Sequence, residues 1–524
     1  MDRTAQSAIP TNDVSILPLD ESIDITIPMT GSRRRLLLVL VFLCGAVSIG
    51  TELAMSRLLA PYFGTSTFIW ANLIGLTLAF LAIGYYLGGR LADRYPTMDV
   101  MLIIVGLAGF AVAIIPVLAR PILRASLAAF DELNAGVFFG SFFGALLLMA
   151  APMLLFGCIS PFAIRMRTEN IRSSGETAGN IYALSTLGSI AGSFLPVLVL
   201  IPLFGTRATF LIMGVSLMAL AIAGSVAGRA GARAASIGVM LAVSLGLHAV
   251  TAAGSIKPPY VGVLVEEAES EYNYIQVLES QGRILLALND GHAIHSIYDP
   301  ASVLTGGPWD YFLLAPAMAG IDPQRALIVG LAGGTSAHSL LATYPELHID
   351  GVEIDPSVLE LARTYFALDD PRLTTYADDG RYFLETSDQT YDLVALDAYR
   401  QPYIPFHLAT VEYFELVEQH LNDHGVVVVN VGRSATDFRL VDALSSTLSA
   451  VFRSVWLVDV QGYDNTMVFA SNEDISLEDI RARLSSARPG SNQQIVAEEV
   501  FAAGNLRTNP AHERPYTDDR APVE

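Results

Sequence analysis

The chain has 524 residues, a formal net charge of −21, 52% hydrophobic residues and only 16% charged ones. Residues 1–257 hold 16 Lys/Arg against 12 Asp/Glu, and residues 258–524 hold 15 against 40, so one half stands at +4 and the other at −25. That division excludes a fully soluble protein, and a half at −25 disfavours nucleic-acid binding because it repels phosphate.

Residues 1–32 form a polar N-terminal tail, and Arg33-Arg34-Arg35 then precede an apolar run that lacks a small-residue cleavage site, which reads as an uncleaved first span. Residues 33–257 are expected to be a membrane domain of about seven helices, over roughly 36–60, 67–89, 100–119, 136–160, 184–205, 208–227 and 233–254. The stretch 120–135 is too charged to span. Glu52 lies in the first apolar run with Arg57 shortly after it, and Gly84–Arg94 resembles a short loop motif of major-facilitator transporters, or serves as a turn with small residues for close helix packing. Both cysteines, Cys44 and Cys158, fall in apolar stretches and form no disulfide framework.

A connector, Lys257-Pro258-Pro259-Tyr260, opens a small β region at 258–322, in which Tyr274–Glu279 and Arg283–Leu288 read as a hairpin. An α/β domain follows over 323–502. Ala326–Val329 is a buried-type strand that runs into Gly330-Leu331-Ala332-Gly333-Gly334 and a helix; His348–Val352 ends at Glu353, Leu373–Tyr376 leads to Asp378-Asp379-Gly380, and Tyr391–Leu396 ends at Asp397. The alternation implies a doubly wound, mostly parallel sheet. Such sheets bind ligands at the carboxyl ends of their strands, where Glu353, Asp379 and Asp397 fall together. Glu353 lies 20 residues beyond Gly333, the spacing of an acid that accepts ribose hydroxyls. Gly425–Val431 is a further strand, and residues 503–524 are a polar C-terminal tail.

Over about 269–435 the series Val352-Glu353-Ile354-Asp355, Asp370-Pro371-Arg372, Asp378–Phe383 and Tyr391–Asp397 resembles the spermidine synthase (polyamine aminopropyltransferase) family, in its membrane-fused bacterial variants. The resemblance implies a Rossmann-like sheet of the S-adenosylmethionine methyltransferase kind beside an α-helical multi-pass membrane domain. It implies transfer of an aminopropyl group from decarboxylated S-adenosylmethionine to an amine such as putrescine, with Asp397 as proton acceptor. The donor side falls to Asn273, Gly330, Gly333, Glu353, Asp379 and Gly380, and the acceptor side to Tyr311, Tyr399, Arg400 and Pro405. No tightly bound cofactor and no metal is implied; His292 and His295 lack a third ligand at a suitable spacing.

Two family aspartates are missing, because their places hold Gly333 and Arg400. The nucleoside side of the site is thus kept while the diamine side is rebuilt. A methyltransferase that takes S-adenosylmethionine, its donor carboxylate on backbone amides of the glycine loop, is the alternative, and a transporter or sensor with a nucleoside- or polyamine-binding domain is a third reading. Expected partners are the small-molecule amine, the adenosyl donor and the lipid bilayer, with a homodimer left open. The expected location is the cell membrane with the catalytic domain facing the cytoplasm, although seven crossings and the arginine bias favour the opposite face.

Overall fold

The computed structural model describes residues 31–64, 66–131, 136–168, 173–251, 254–289, 293–399, 404–508 and 513–521. The apolar half folds into helices α1 (Gly31–Phe63), α2 (Thr67–Arg94), α3 (Met98–Asp131), α4 (Gly136–Arg167), α5 (Ser174–Leu195), α6 (Ile201–Ala227) and α7 (Gly231–Thr251). Among the described residues six continuous helical stretches are long and apolar enough to cross a membrane. Seven helices agree with the expected count of about seven, and the stretches number six because no loop parts the fifth and sixth segments. They run together as Ser174–Ala227, with a π-helical turn at Pro196–Leu200 and one non-helical residue, Gly205, at φ 78° and ψ 165°. Glycine alone takes that backbone without strain. The third helix also continues through the charged stretch as far as Asp131.

Small residues set the helix packing. A Cβ on Gly84 would come within 2.8 Å of Gly157, and a Cβ on Gly88 or Gly188 would enter the backbone of Cys158 or Phe42, so α2 lies against α4 and α1 against α5 at backbone contact. The Gly84–Arg94 stretch packs closely as expected, but it is the last part of helix α2 and not a loop or turn, and its Asp93 pairs with Arg165 of α4.

The acidic half holds two sheets. Strands β1 (Val263–Glu269), β2 (Tyr274–Ser280), β3 (Arg283–Leu288) and β4 (Ile294–Tyr298) form an antiparallel meander in that order. The predicted hairpin is β2–β3, and it turns through Gln281 and Gly282, both at positive φ. After α8 (Leu314–Ala319) the chain alternates: β5 (Arg325–Val329), α9 (Thr335–Thr343), β6 (His348–Glu353), α10 (Pro356–Tyr365), β7 (Leu373–Ala377), α11 (Gly380–Thr386), β8 (Tyr391–Leu396), α12 (Val411–Gln419) and β9 (Leu421–Gly432). It closes with α13 (Arg439–Ser449), β10 (Ser454–Asp459), β11 (Asn465–Ser471), α14 (Leu477–Ser485), α15 (Asn492–Ala503) and β12 (Leu506–Thr508).

These strands form one eight-stranded sheet, ordered β12-β10-β11-β9-β8-β5-β6-β7, parallel from β7 to β9 and antiparallel beyond. Both faces are covered. Ala326, Ile328, Val426 and Val428 pack into one core, and Leu327, Val329, Val427 and Val429 into the other, so the strands read as continuous apolar runs. Sequence order reverses between β5 and β8, which opens a crevice at their carboxyl ends.

The described part of the polar closing segment packs onto the sheet domain. β12 pairs with β10, and Asp518 accepts both terminal guanidinium nitrogens of Arg381 (2.8 and 2.7 Å) and the Thr410 hydroxyl. Polar composition conceals this because the contacts are themselves polar.

The two halves meet along one end of the helices. Arg207 donates to the carbonyls of Gly254 and Ser255, the Thr206 amide donates to Glu269 of β1, and the Tyr62 hydroxyl donates to the Ile256 carbonyl. The corner at Gly205 and the carboxyl ends of α1 and α7 therefore face the α/β half. Arg233 pairs with Asp99 at the far end, where α3 and α7 begin.

Candidate active site

The strand order dictates where the acids converge. β5, β6 and β8 are parallel neighbours, so Gly330, Glu353 and Asp397, each at or just past a strand end, open on one crevice. A cavity of about 450 Å³ lies there, sized for a small-molecule ligand. Its lining includes Asn273, Gly330, Glu353, Asp379, Gly380, Asp397, Tyr399 and Pro405, so eight of the eleven residues expected at the site are brought together.

Asp397 follows β8, and its own amide donates to the Val329 carbonyl of β5, which fixes the backbone. The Asn430 side-chain amide donates to Asp397 Oδ1 at 2.8 Å, and the Trp309 indole donates as well. Asn430 is held in turn by Asn465 (2.9 Å), and the Tyr399 hydroxyl donates to the Asn430 carbonyl at 2.7 Å. Desolvation pushes the Asp397 carboxyl up to about 7, against the pull of Asn430 and Trp309.

Glu353 ends β6 and is also pushed up to about 7 by burial. It accepts the Ala332 amide (2.9 Å) and the Asp355 amide (3.2 Å), one on each oxygen, which leaves lone pairs on both for further donors. Asp355 itself turns away to cap α10 and takes Ser270 and Asn273. Asn273 is thereby oriented from two sides, since its oxygen accepts from Asn289 at 2.9 Å.

Asp379 caps α11 by accepting the Arg381 and Tyr382 amides, and its second oxygen meets His407 Nε2 at 2.8 Å. The hydrogen bond from His407 holds this carboxyl below the usual range, opposite to Asp397. Gly380 follows because a Cβ there would fall on Val329, and Gly330, at φ 86°, because a Cβ would come within 2.6 Å of the 397–398 backbone.

Two expectations are placed differently, and a third falls outside the described residues. Gly333 is not in the cavity wall: its amide donates to Ser296 Oγ (2.8 Å), and a Cβ would meet Ser296 at 2.8 Å and Phe366 at 2.9 Å, so the residue packs β4 and α10 against the loop. Tyr311 is 2% exposed in the core, with its hydroxyl accepting from the Gln461 amide; Trp309, two residues earlier, is the one that reaches the site. Arg400 lies outside the described residues, as does His292.

The loop amides answer a question of donor chemistry. Gly330 and Leu331 donate to the Val352 carbonyl, Ala332 to Glu353, Gly333 to Ser296, and Gly334 to the Leu331 carbonyl. All five are spent within the protein.

Sequence reasoning missed the other wall of the cavity. Ser56, Arg57, Gly64, Ile69 and Trp70, from the end of α1 and the start of α2, line it together with the strand ends. The helical half is built into the site. In the sequence Arg57 stands out only as a neighbour of Glu52, and no pattern links it to Asp397, which lies 340 residues on.

Comparison with known proteins gives this geometry its context. Residues 313–474 match the spermine/spermidine synthase domain, a span that contains Gly330, Glu353, Asp379, Gly380 and Asp397. Over those residues the chain is similar to the spermine/spermidine synthase family. A protein of Bifidobacterium longum named probable polyamine aminopropyl transferase is 36% identical over 279 residues, covering 50% of this chain and 61% of its own length. The chain thus spans less than two thirds of that relative. Polyamine aminopropyltransferase 1 of Streptomyces coelicolor is 24% identical over 442 residues, 77% of each chain, a match too long for the acidic half alone. A crystal structure of a probable spermidine synthase from Corynebacterium glutamicum is similar at 20% identity, covering 48% of this chain and 96% of its own, with a TM-score of 0.38.

Proposed function

We propose that the chain transfers an aminopropyl group from decarboxylated S-adenosylmethionine to an amine, in a protein held in the membrane by its helical half. Glu353 takes the donor ribose hydroxyls on its two partly used oxygens, and Asp379 with Gly380 takes the adenine edge. Asp397 accepts the proton of the acceptor ammonium. That amine attacks the carbon next to the sulfonium, and 5′-methylthioadenosine leaves. A base near 7 suits this task, being largely unprotonated just above neutrality yet basic enough to draw a proton. Most of the remaining rate comes from holding amine and carbon in line within one cavity.

The observation that carries the reading is the convergence of Asp397, Glu353 and Asp379 on one cavity inside the matched domain. The spent loop amides favour it over methyl transfer, since a donor that keeps its carboxylate finds no free amide from Gly330 to Gly334. In the test, the purified full chain receives either donor together with amines. Release of 5′-methylthioadenosine from the decarboxylated donor is expected; S-adenosylhomocysteine from the carboxylated one would replace this reading with methyl transfer.

The reaction also implies an orientation. The donor is expected in the cytoplasm, which requires the α/β half on that face and sets the arginines at the far ends of the helices outside, against their usual bias.

A further inference from the structure

A second cavity lies between α3, α6 and α7, at the end of the helices that meets the α/β half. It measures about 200 Å³, and its walls include Arg120, Arg207 and His248 with Val117 and Val250, but no carboxylate. Arg207 gives a proton from each terminal nitrogen to the Gly254 and Ser255 carbonyls (2.5 and 2.7 Å), which leaves further donors on the guanidinium. His248 Nε2 donates to the Ala113 carbonyl at 2.8 Å. Arg120 is different. Its Nε is shut off from water and no group accepts its proton, and among the described residues Arg120 forms no hydrogen bond or ion pair. A guanidinium stays protonated at any working pH, so this charge is partly desolvated without compensation, a cost that points to a ligand.

The charge around the cavity has one sign. Arg120, Arg124 and Arg207 all act on the Tyr62 hydroxyl, against Glu267 alone. Glu267 takes the Ile256 amide and the Tyr274 hydroxyl, and Glu269, which also feels Arg207, takes the Thr206 amide. Neither acid pairs with the three arginines among the described residues.

Helix length sets the depth. Arg120 stands 22 residues from Met98, Arg207 20 from Ala227 and His248 17 from Gly231, the helix ends on the far side. At 1.5 Å per residue these are about 33, 30 and 26 Å, close to the thickness of a hydrocarbon core, so all three reach the level of lipid headgroups. Val250 in the wall is 81% exposed, which opens the cavity on the outer surface of α7, where acyl chains lie. The volume is below the about 300–1,000 Å³ of an ordinary small-molecule site, enough for a headgroup but not for a whole amphiphile.

We propose that this cavity binds the phosphate of an anionic phospholipid, with Arg120 as its first ligand and Arg207 as its second, and the acyl chains lying outside along Val250. On the cytoplasmic face inferred above, anionic lipids are abundant and basic pockets between helices hold their headgroups. Because Arg207 also fixes the connector at Gly254 and Ser255, the bound lipid buttresses the junction with the α/β half. The inference rests on the helical half lying in a bilayer and not on the reaction.

In the test, the full chain in neutral detergent receives dioctanoyl phosphatidylglycerol, dioctanoyl phosphatidylcholine or inorganic phosphate, and the melting temperature is followed against concentration. Phosphatidylglycerol is expected to raise it saturably, with an apparent Kd at least about tenfold below that of either other probe. Arg120→Gln should weaken that binding at least about tenfold, and Arg120→Lys should recover part of it. Arg124→Gln, at an exposed position outside the cavity wall, should stay within about twofold of wild type. Equal binding of inorganic phosphate assigns the cavity to a free anion, and equal binding of phosphatidylcholine removes headgroup charge as the determinant. A loss in Arg124→Gln as large as in Arg120→Gln replaces the site by diffuse attraction. Each of these overturns the proposal, as does the absence of any shift. Should Arg120→Gln not fold, the wild-type comparison and Arg120→Lys still decide. Resistance of the chain to alkaline extraction from phosphatidylcholine vesicles tests the membrane reading by itself, so the two failures are told apart.

Discussion

Replacing Asp397 by Asn tests the assignment of the base through two readouts that move in opposite directions. The carboxyl sits at about 7 in the folded protein, against about 4 for an ordinary aspartate, because burial disfavours its charge. Since the folded-state value is raised, the folded protein binds this proton more tightly than the unfolded chain. The charge therefore costs nothing below about pH 4, and its cost grows through the interval from 4 to 7 and is complete above it. Three units correspond to about 4 kcal/mol, an upper bound because the cavity mouth admits water. Asn removes the charge but turns its amide toward Asn430 or the Trp309 indole, leaving one donor without an acceptor at a cost of about 1–3 kcal/mol.

Asp397→Asn should accordingly melt higher than wild type at pH 8, by the equivalent of about 1–3 kcal/mol, and lose that advantage near pH 5, where wild-type Asp397 is already neutral. Turnover should fall at least about a hundredfold, the contribution expected of a general base, while donor binding stays within a few-fold. Thermal unfolding of the full chain in detergent at the two pH values, alongside methylthioadenosine release, measures both. A melting difference equal at pH 5 and pH 8 would refute the buried-charge argument, and full activity in the variant would remove the base.

Other perturbations follow from the same geometry. Gly333→Asp returns an acid to the glycine loop, yet its Cβ would press on Ser296 and Phe366, so it should lower the melting temperature without raising activity toward diamines. His407→Ala withdraws the hydrogen bond that keeps the Asp379 carboxyl low, and the loss of donor affinity on acidification should begin at higher pH than in wild type. Asp518→Asn breaks the two-pronged pair with Arg381; both partners are partly solvated, so the loss should be on the order of 1 kcal/mol, read as earlier proteolysis of the closing segment. For orientation, protease added to inside-out vesicles should cut the α/β half while right-side-out vesicles protect it; the reverse would rule out a cytoplasmic donor.

The α/β half was legible because its signals are local. A strand buried on both faces is a run of Val, Leu and Ile, its end is an acid or a glycine, and the parallel order that brings β5, β6 and β8 together follows from the repeated crossover. Where chemistry depended on which way one loop residue packs, the sequence was silent. Gly333 looks like any ligand-side glycine until Ser296 and Phe366 are seen against it, and Tyr311 and Trp309 differ only in which of them a short 3₁₀ turn sends toward Asp397.

The helical wall is illegible for a stronger reason. Hydrophobic periodicity shows that α1 is apolar but not what its last turns face, since a residue near the end of a span can meet lipid, water or protein. What decides it is the junction: Tyr62 bonds to the Ile256 carbonyl, and Arg207 bonds to Gly254 and Ser255. These contacts hold the connector after α7 against the carboxyl end of α1, and so carry the β1–β4 meander, with Glu271, Tyr272 and Asn273, beside Arg57 and Trp70. A chain that used its helices only as an anchor would need none of these contacts, because a flexible linker would serve. Their presence makes the position of the helices a condition of the site's shape, so substitutions at the junction should act on KM as well as on stability.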